Sequence, residues 1–126
     1  MDGSSFESHY GAPLVPGVSV GPGTLVNLHT GSSGTLQARL ADHSDGLWAY
    51  GFAFTSGSGT KVTGYPQKVR VDRFGAVENI DYITFNPGAV AYLGEDGKYA
   101  VSGTQKVGFA IGANTVFVDL DMQLGS

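Results

Sequence analysis

The sequence predicts an all-β fold, a small β-barrel or sandwich of about nine short antiparallel strands, on three observations. Apolar residues alternate with polar ones at a period of two, and turn-forming pairs separate the alternating runs. No stretch sustains a helical period for three turns. Twenty glycines are scattered through turn-like positions without a three-residue period, which excludes collagen and fits many short strands.

Residues 1–13 read as a flexible N-terminal arm, either a frayed terminus or a segment that orders on a partner through Phe6 and Tyr10. Residues 14–126 read as a single all-β domain. Its expected strands are 24–30, 35–42, 47–56, 60–72, 75–85, 89–94, 98–102, 105–112 and 115–123, with short helical turns admissible near 78–82. In 35–42, Leu36, Ala38 and Leu40 share one face, against Gln37 and Arg39. Val69 and Val71 alternate with Lys68, Arg70 and Asp72. Val116, Val118, Leu120 and Met122 point inward, with Asp119 and Asp121 outward. "LWAYGFAF" at 47–54 carries bulk on both faces, so it is expected to be a central strand or one that meets another subunit. Asp96-Gly97 lies between two apolar runs and predicts a type I′ hairpin tip, where both central residues need positive φ.

The composition excludes several function classes. Seven basic and eleven acidic residues leave a net charge of −4, and the small cluster of Lys68, Arg70 and Arg73 encloses Asp72. A nucleic-acid partner is therefore not expected, because it needs a basic field. With no cysteine there is no disulfide, thiol nucleophile or thiolate-bound metal. The first thirteen residues lack the apolar core of a signal peptide, and the longest apolar run is too short to cross a bilayer. A soluble product of a cytosol, with no membrane partner, is the expectation.

Catalytic signatures are missing as well. "GSSG" and "SGSGT" lack the spacing of a nucleophile elbow, and no Gly-rich loop leads into a helix and a lysine. His43 beside Asp42 and Asp45 is better read as a polar loop than as a metal site, which needs three or four convergent ligands. Asp119 and Asp121 read as a solvated outer face that discourages edge pairing. No enzyme, metal or cofactor is expected. Trp48, Tyr50 and Tyr65 could line a sugar platform, although core or subunit contact is the favoured role.

Pro22-Gly23 and Pro87-Gly88 each precede an apolar run, and each is followed later by Gly-Phe-Ala, at 51–53 and 108–110. The stretches 22–54 and 87–121 therefore read as a duplicated supersecondary unit, with chance recurrence in a Gly-rich β-protein as the alternative. The second stretch carries Gly88, Tyr92, Leu93, Gly97, Val107, Gly108, Phe109 and Ala110 in a pattern that resembles the capsid decoration (cement) and head-fibre proteins of tailed phages. That resemblance covers 86–121, with a weaker echo at 22–54; the central segment 60–85 has no counterpart in it. It implies a small β-barrel, usually trimeric, that binds the major capsid protein on the outer head surface and stabilises the shell. It also implies a location on the virion after synthesis in the host cytoplasm.

On that reading residues 4–16 form the capsid-facing arm, with Phe6, His9, Tyr10, Pro13, Leu14 and Val15 as contacts. Trp48, Tyr50 and Phe52 form the subunit interface. A carbohydrate-binding or host-recognition β-module of a phage fibre or secreted protein is the alternative function.

Overall fold

The two Gly-Phe-Ala triplets stand in the middle strands of two five-stranded antiparallel sheets in a computed structural model. It describes residues 9–16, 18–31, 34, 36–58 and 68–120. Sheet 1 contains β1 (His9–Pro13), β3 (Leu25–Thr30), β4 (Leu36–Leu40), β5 (Gly51–Ala53) and β7 (Lys68–Asp72), in the order β1-β7-β5-β3-β4. Sheet 2 contains β8 (Phe74–Val77), β9 (Val90–Leu93), β10 (Tyr99–Ala100), β11 (Lys106–Gly112) and β12 (Thr115–Asp119), in the order β10-β9-β11-β12-β8. A two-stranded ribbon pairs β2 (Ser19–Val20) with β6 (Gly57–Ser58). There is no helix among the described residues. The sheets are not closed into a barrel, so the sandwich form of the expected fold is the one adopted.

The two sheets share one topology. Taken in chain order, the five strands of each sheet lie in the same spatial order and pair the same way. Leu25 faces Phe52 and Val26 faces Gly51, while Val90 faces Phe109 and Ala91 faces Gly108. Gly23 N–H donates to Ala53 O and Gly88 N–H to Ala110 O, each at 2.7 Å. Both Pro-Gly glycines have nearly the same backbone, φ 87° and 90°. Each triplet glycine lies against a neighbouring strand: a Cβ at Gly51 would strike Asp72 O, and one at Gly108 would strike Phe117 O. Asp72 and Phe117 are themselves equivalent, opposite Phe52 and Phe109.

Two cores result from period-two alternation. One face of sheet 1 buries Val26, Ala38, Ala53, Val69 and Val71 with Leu14 and Val20. Here the sheet curls: Leu14 forms a single parallel bridge to Ala38, and Val15 N–H donates to Ala38 O at 2.9 Å. The other face sends Leu25 and Phe52 into a larger core with Leu93, Val107, Val116, Val118 and Leu120 of the sheet 2 half.

The Asp96-Gly97 hairpin tip joins the halves. Both residues have positive φ, 53° and 76°, as a type I′ turn requires, and Lys98 N–H closes it on Glu95 O at 3.0 Å. Leu25 N–H donates to Gly97 O at 2.9 Å, Gly97 N–H to Ala41 O at 2.6 Å, and Ala41 N–H to Leu25 O at 3.1 Å. Asp42 extends this ring, because its carboxylate accepts from Asp96 N–H at 3.2 Å and from the Ser44 hydroxyl at 2.6 Å. The Ser44 hydroxyl first, then the Asp96 and Ser44 amides, hold the Asp42 carboxyl below its ordinary pKa, against the burial that pushes it up.

Several expected elements differ. The stretch 9–13, expected within a free arm, is edge strand β1, because its backbone pairs with β7 from His9↔Asp72 to Pro13↔Lys68. The expected strand 75–85 ends at Val77, where Glu78 and Asn79 turn the chain and Asn79 adopts φ 64°. Beyond it, Ile80 and Phe85 plug the larger core, tied to the 113–114 turn by Ile80 N–H→Asn114 O and Phe85 N–H→Ala113 O. The expected strand 60–72 is present as β7, and 59–67 lie outside the described residues.

Gly108→Ala is expected to destabilise the fold by about 1–3 kcal/mol, since the clash is with backbone and cannot swing aside. Gly11→Ala, with open space around its Cα, should stay within about 0.5 kcal/mol. Urea denaturation of the two variants against wild type measures both. The lowered Asp42 pKa also sets a pH dependence: its contribution is complete above the unfolded carboxylate pKa of about 4. It is lost as the pH falls through the lower folded value. Stability measured from pH 6 to 2 should fall more gently in Asp42→Asn than in wild type, and equal slopes would remove Asp42 from the account.

Candidate functional site

The segment 47–50 leads into β5 without joining either sheet, yet it is fixed at every residue. Leu47 exchanges two backbone bonds with Asp42, N–H→O at 2.9 Å and the return bond at 2.8 Å. Asn27 Nδ2 donates to Trp48 O at 2.7 Å. The Gln105 amide replaces a strand partner: it accepts from Ala49 N–H at 2.7 Å and donates to Ala49 O at 2.9 Å. Tyr50 N–H donates to Val26 O at 2.8 Å, and Arg73 donates to Tyr50 O at 3.0 Å. This explains why the expected strand 47–56 is regular only over Gly51–Ala53: side chains supply the hydrogen bonds that a neighbouring strand would.

This fixed segment displays two aromatics. Trp48 and Tyr50 are 48% and 37% exposed, while Ala49 between them is buried. The Arg73 guanidinium lies 4.4 Å from the centre of the Tyr50 ring. With Asn27, Gln105 and Leu120, these side chains line an open depression of about 340 Å³. A second stacked pair lies beyond, Arg70 over Phe54 at 4.0 Å, with Arg70 held bidentate by the buried Asp72 at 2.7 and 3.1 Å. Stacked guanidinium and aromatic faces offer a ligand flat apolar surface with polar edges.

Phe52, expected in the subunit interface with Trp48 and Tyr50, is corrected: it is 4% exposed and packs in the larger core, with its ring against Gly75. Period two sets it on the same face as the exposed Tyr50 and Phe54, and it is buried because the sheet 2 half covers that face at Phe52, with Leu93, Val107 and Val116 in the same core. Leu14, expected as a capsid contact, is fully buried in the smaller core, and Pro13 and Val15 are half-buried. The backbones of His9 and Tyr10 pair with Asp72 and Val71. Phe6, Tyr65 and Asp121 lie outside the described residues. His43 points to Thr104 Oγ1, 3.2 Å from its Nδ1, while Asp42 turns to Ser44 and Asp96. No group of three metal-ligating side chains converges among the described residues.

A second surface escaped the sequence reading. On the outer face of sheet 2, Val90, Phe109, Phe117 and Ala76 form one row across four paired strands. Val90, Phe109, Ala76 and the neighbouring Phe74 and Ile111 are exposed. The Phe109 and Phe117 rings touch, with centroids 5.7 Å apart. The alternation in "KVGFAIG" shows that Phe109 and Ile111 share a face, but not which face is covered.

Tyr99 and Tyr82 serve the fold. Tyr99 O–H donates to Gly23 O at 2.7 Å, and burial pushes its pKa well above the ordinary value, so it remains a neutral donor. Tyr82 O accepts from Tyr99 N–H at 2.9 Å. No protein-family model, curated protein or solved structure matches the chain.

Gln105→Ala strips Ala49 of both backbone partners at a buried position. It should cost about 1–3 kcal/mol and speed exchange of the Ala49 amide without altering the β11–β12 amides. Hydrogen exchange resolved by residue checks this, and unchanged protection at Ala49 would refute the role given to Gln105.

Proposed function

We propose that the protein is a non-enzymatic structural protein that decorates the outer surface of a phage head and reinforces it, several copies acting together. The observation that carries this reading is the display of large apolar side chains on two rigid surfaces, Trp48–Tyr50 and the outer face of sheet 2. Contiguous exposed apolar patches mark interaction surfaces, and aromatic residues concentrate in interface cores. The sequence resemblance over 86–121 supplies the kind of assembly. Shell reinforcement then works through multivalency: each contact is weak, and linked copies raise the effective concentration of the next.

For contact with the shell the arm keeps Phe6, His9, Tyr10, Pro13 and Val15, with Leu14 occupied in the core, and Trp48 and Tyr50, first expected at a subunit interface, join it because they are displayed. A carbohydrate-recognition function is the second reading, favoured by the depression at Trp48 and Tyr50, whose rings could stack on a sugar face. Co-sedimentation with heads of the parent phage, stripped of this protein, separates the two. Decoration predicts saturable binding, added resistance of the heads to heat or chelation, and loss of at least tenfold in affinity for the Trp48→Ala/Tyr50→Ala double variant. Absence of head binding, combined with Trp48-dependent binding on a glycan array, would replace decoration with carbohydrate recognition.

A further inference from the structure

The geometry points to the outer face of sheet 2 as a self-association face that closes on a second copy of this chain, the Phe109 row of one copy against that of the other. This rests on the assembly reading above and adds a specific contact to it.

The argument comes from the equivalence of the two sheets. The row Leu25–Phe52–Asp72 in sheet 1 corresponds, pair for pair, to Val90–Phe109–Phe117 in sheet 2. In sheet 1 that face is covered within the chain, and Leu25 and Phe52 are 0% and 4% exposed. Its cover is the inner face of sheet 2, with Ala91, Ala110 and Val116 in the same core. The opposite face of sheet 1 is closed by Leu14, Val18 and Val20. The molecule is thus a stack closed at one end by its own N-terminal segment and open at the other. A sheet face left to solvent ordinarily carries polar residues, whereas this one carries Val90, Phe109, Ile111 and Phe74 exposed, so it lacks its cover.

The open face is also more apolar than its covered counterpart, since Phe117 stands where sheet 1 has Asp72. A second copy fits it in charge. The charged side chains of sheet 2 that border the row are Lys106 and Asp119, one of each sign, so pairing the face with itself sets no like-charged surfaces together. Two copies placed end to end give a four-sheet stack closed at both ends. A face meeting its own copy is isologous and yields two-fold symmetry, hence a dimer and not the trimer that the resemblance implies.

The size of the face sets the strength. Five strands at about 4.8 Å spacing, and about five residues of length, would bury on the order of 1,000 Å² in total. That lies at the low end, where contacts are weak and transient, so association is sought at high concentration.

Sedimentation equilibrium of the full chain from about 1 to 500 μM tests this. The expected result is a shift from 13.1 kDa toward twice that mass. Phe109→Asp and Ile111→Lys should each remain monomeric throughout, with wild-type circular dichroism and melting temperature, and Trp48→Ala should dimerise as wild type does. A wild-type chain that stays monomeric, or forms a trimer, overturns the inference, as does a folded Phe109→Asp variant that still dimerises. The same samples carried into the head-binding assay keep the two ideas apart: monomers that bind heads sink the dimer and leave decoration standing. Dimers that ignore heads do the reverse.

Discussion

Everything in this molecule turns on three backbone hydrogen bonds that run in a ring through Leu25, Ala41 and Gly97. Two of the three residues belong to the sheet 1 half and one to the tip of a sheet 2 hairpin. The ring can close only because Gly97 supplies both the positive φ of a type I′ turn and a missing side chain. A Cβ there would press on the Thr24 methyl and the Leu25 carbonyl oxygen. Buried backbone groups that lose their partners are costly, and departure of the hairpin tip would break two of the three bonds, stripping Leu25 N–H and Ala41 O of their partners. Leu25 also carries its side chain into the larger core, which couples the polar ring to apolar packing.

The same economy appears in the paired Gly-Phe-Ala triplets. Glycine admits the carbonyl of the adjacent strand, phenylalanine faces one side of the sheet and alanine the other. Identical local geometry gives different outcomes by context alone. Phe52 is buried because another sheet lies over it, and Phe109 is exposed because it stands at the end of the stack. The hydrophobic effect acts on area removed from water, and it leaves unpartnered apolar area as a standing tendency to associate.

This separates what could be read from the sequence from what could not. Alternation exposed the inward faces of β7 and β12, where Val69, Val71, Val116 and Val118 are all buried. Asp96-Gly97 announced its turn because few residue pairs tolerate two consecutive positive φ values. The reading failed where nonlocal partners decide. Nothing within 47–50 signals that a glutamine 56 positions later will act as its neighbouring strand. Nothing in 9–13 signals pairing with 68–72, since a five-residue edge stretch that holds a glycine and a proline looks like an arm until the partner strand is placed. Period two likewise says that Phe52 lies opposite Ala53, but a strand with bulk on both faces does not reveal which face is covered. The site residues suffered most for that reason: Trp48 and Tyr50 are displayed, while Phe52 and Leu14 serve the cores.

The two displayed surfaces differ in a way that bears on their use. Around Trp48 and Tyr50 the polar groups are already engaged, since the Asn27 and Gln105 amides and the Arg73 guanidinium are spent on the backbone of residues 48–50. Such a surface is stiff, so a partner that docks there loses little entropy in ordering it. It presents shape and aromatic faces, edged by the Trp48 indole N–H and the Tyr50 hydroxyl. The outer face of sheet 2 is stiff for another reason: its side chains rise from paired strands whose positions are set by the core beneath. On the decoration reading proposed above, the Trp48–Tyr50 surface would meet the shell and the outer face of sheet 2 a second copy, and in each case stiffness lets a modest contact suffice.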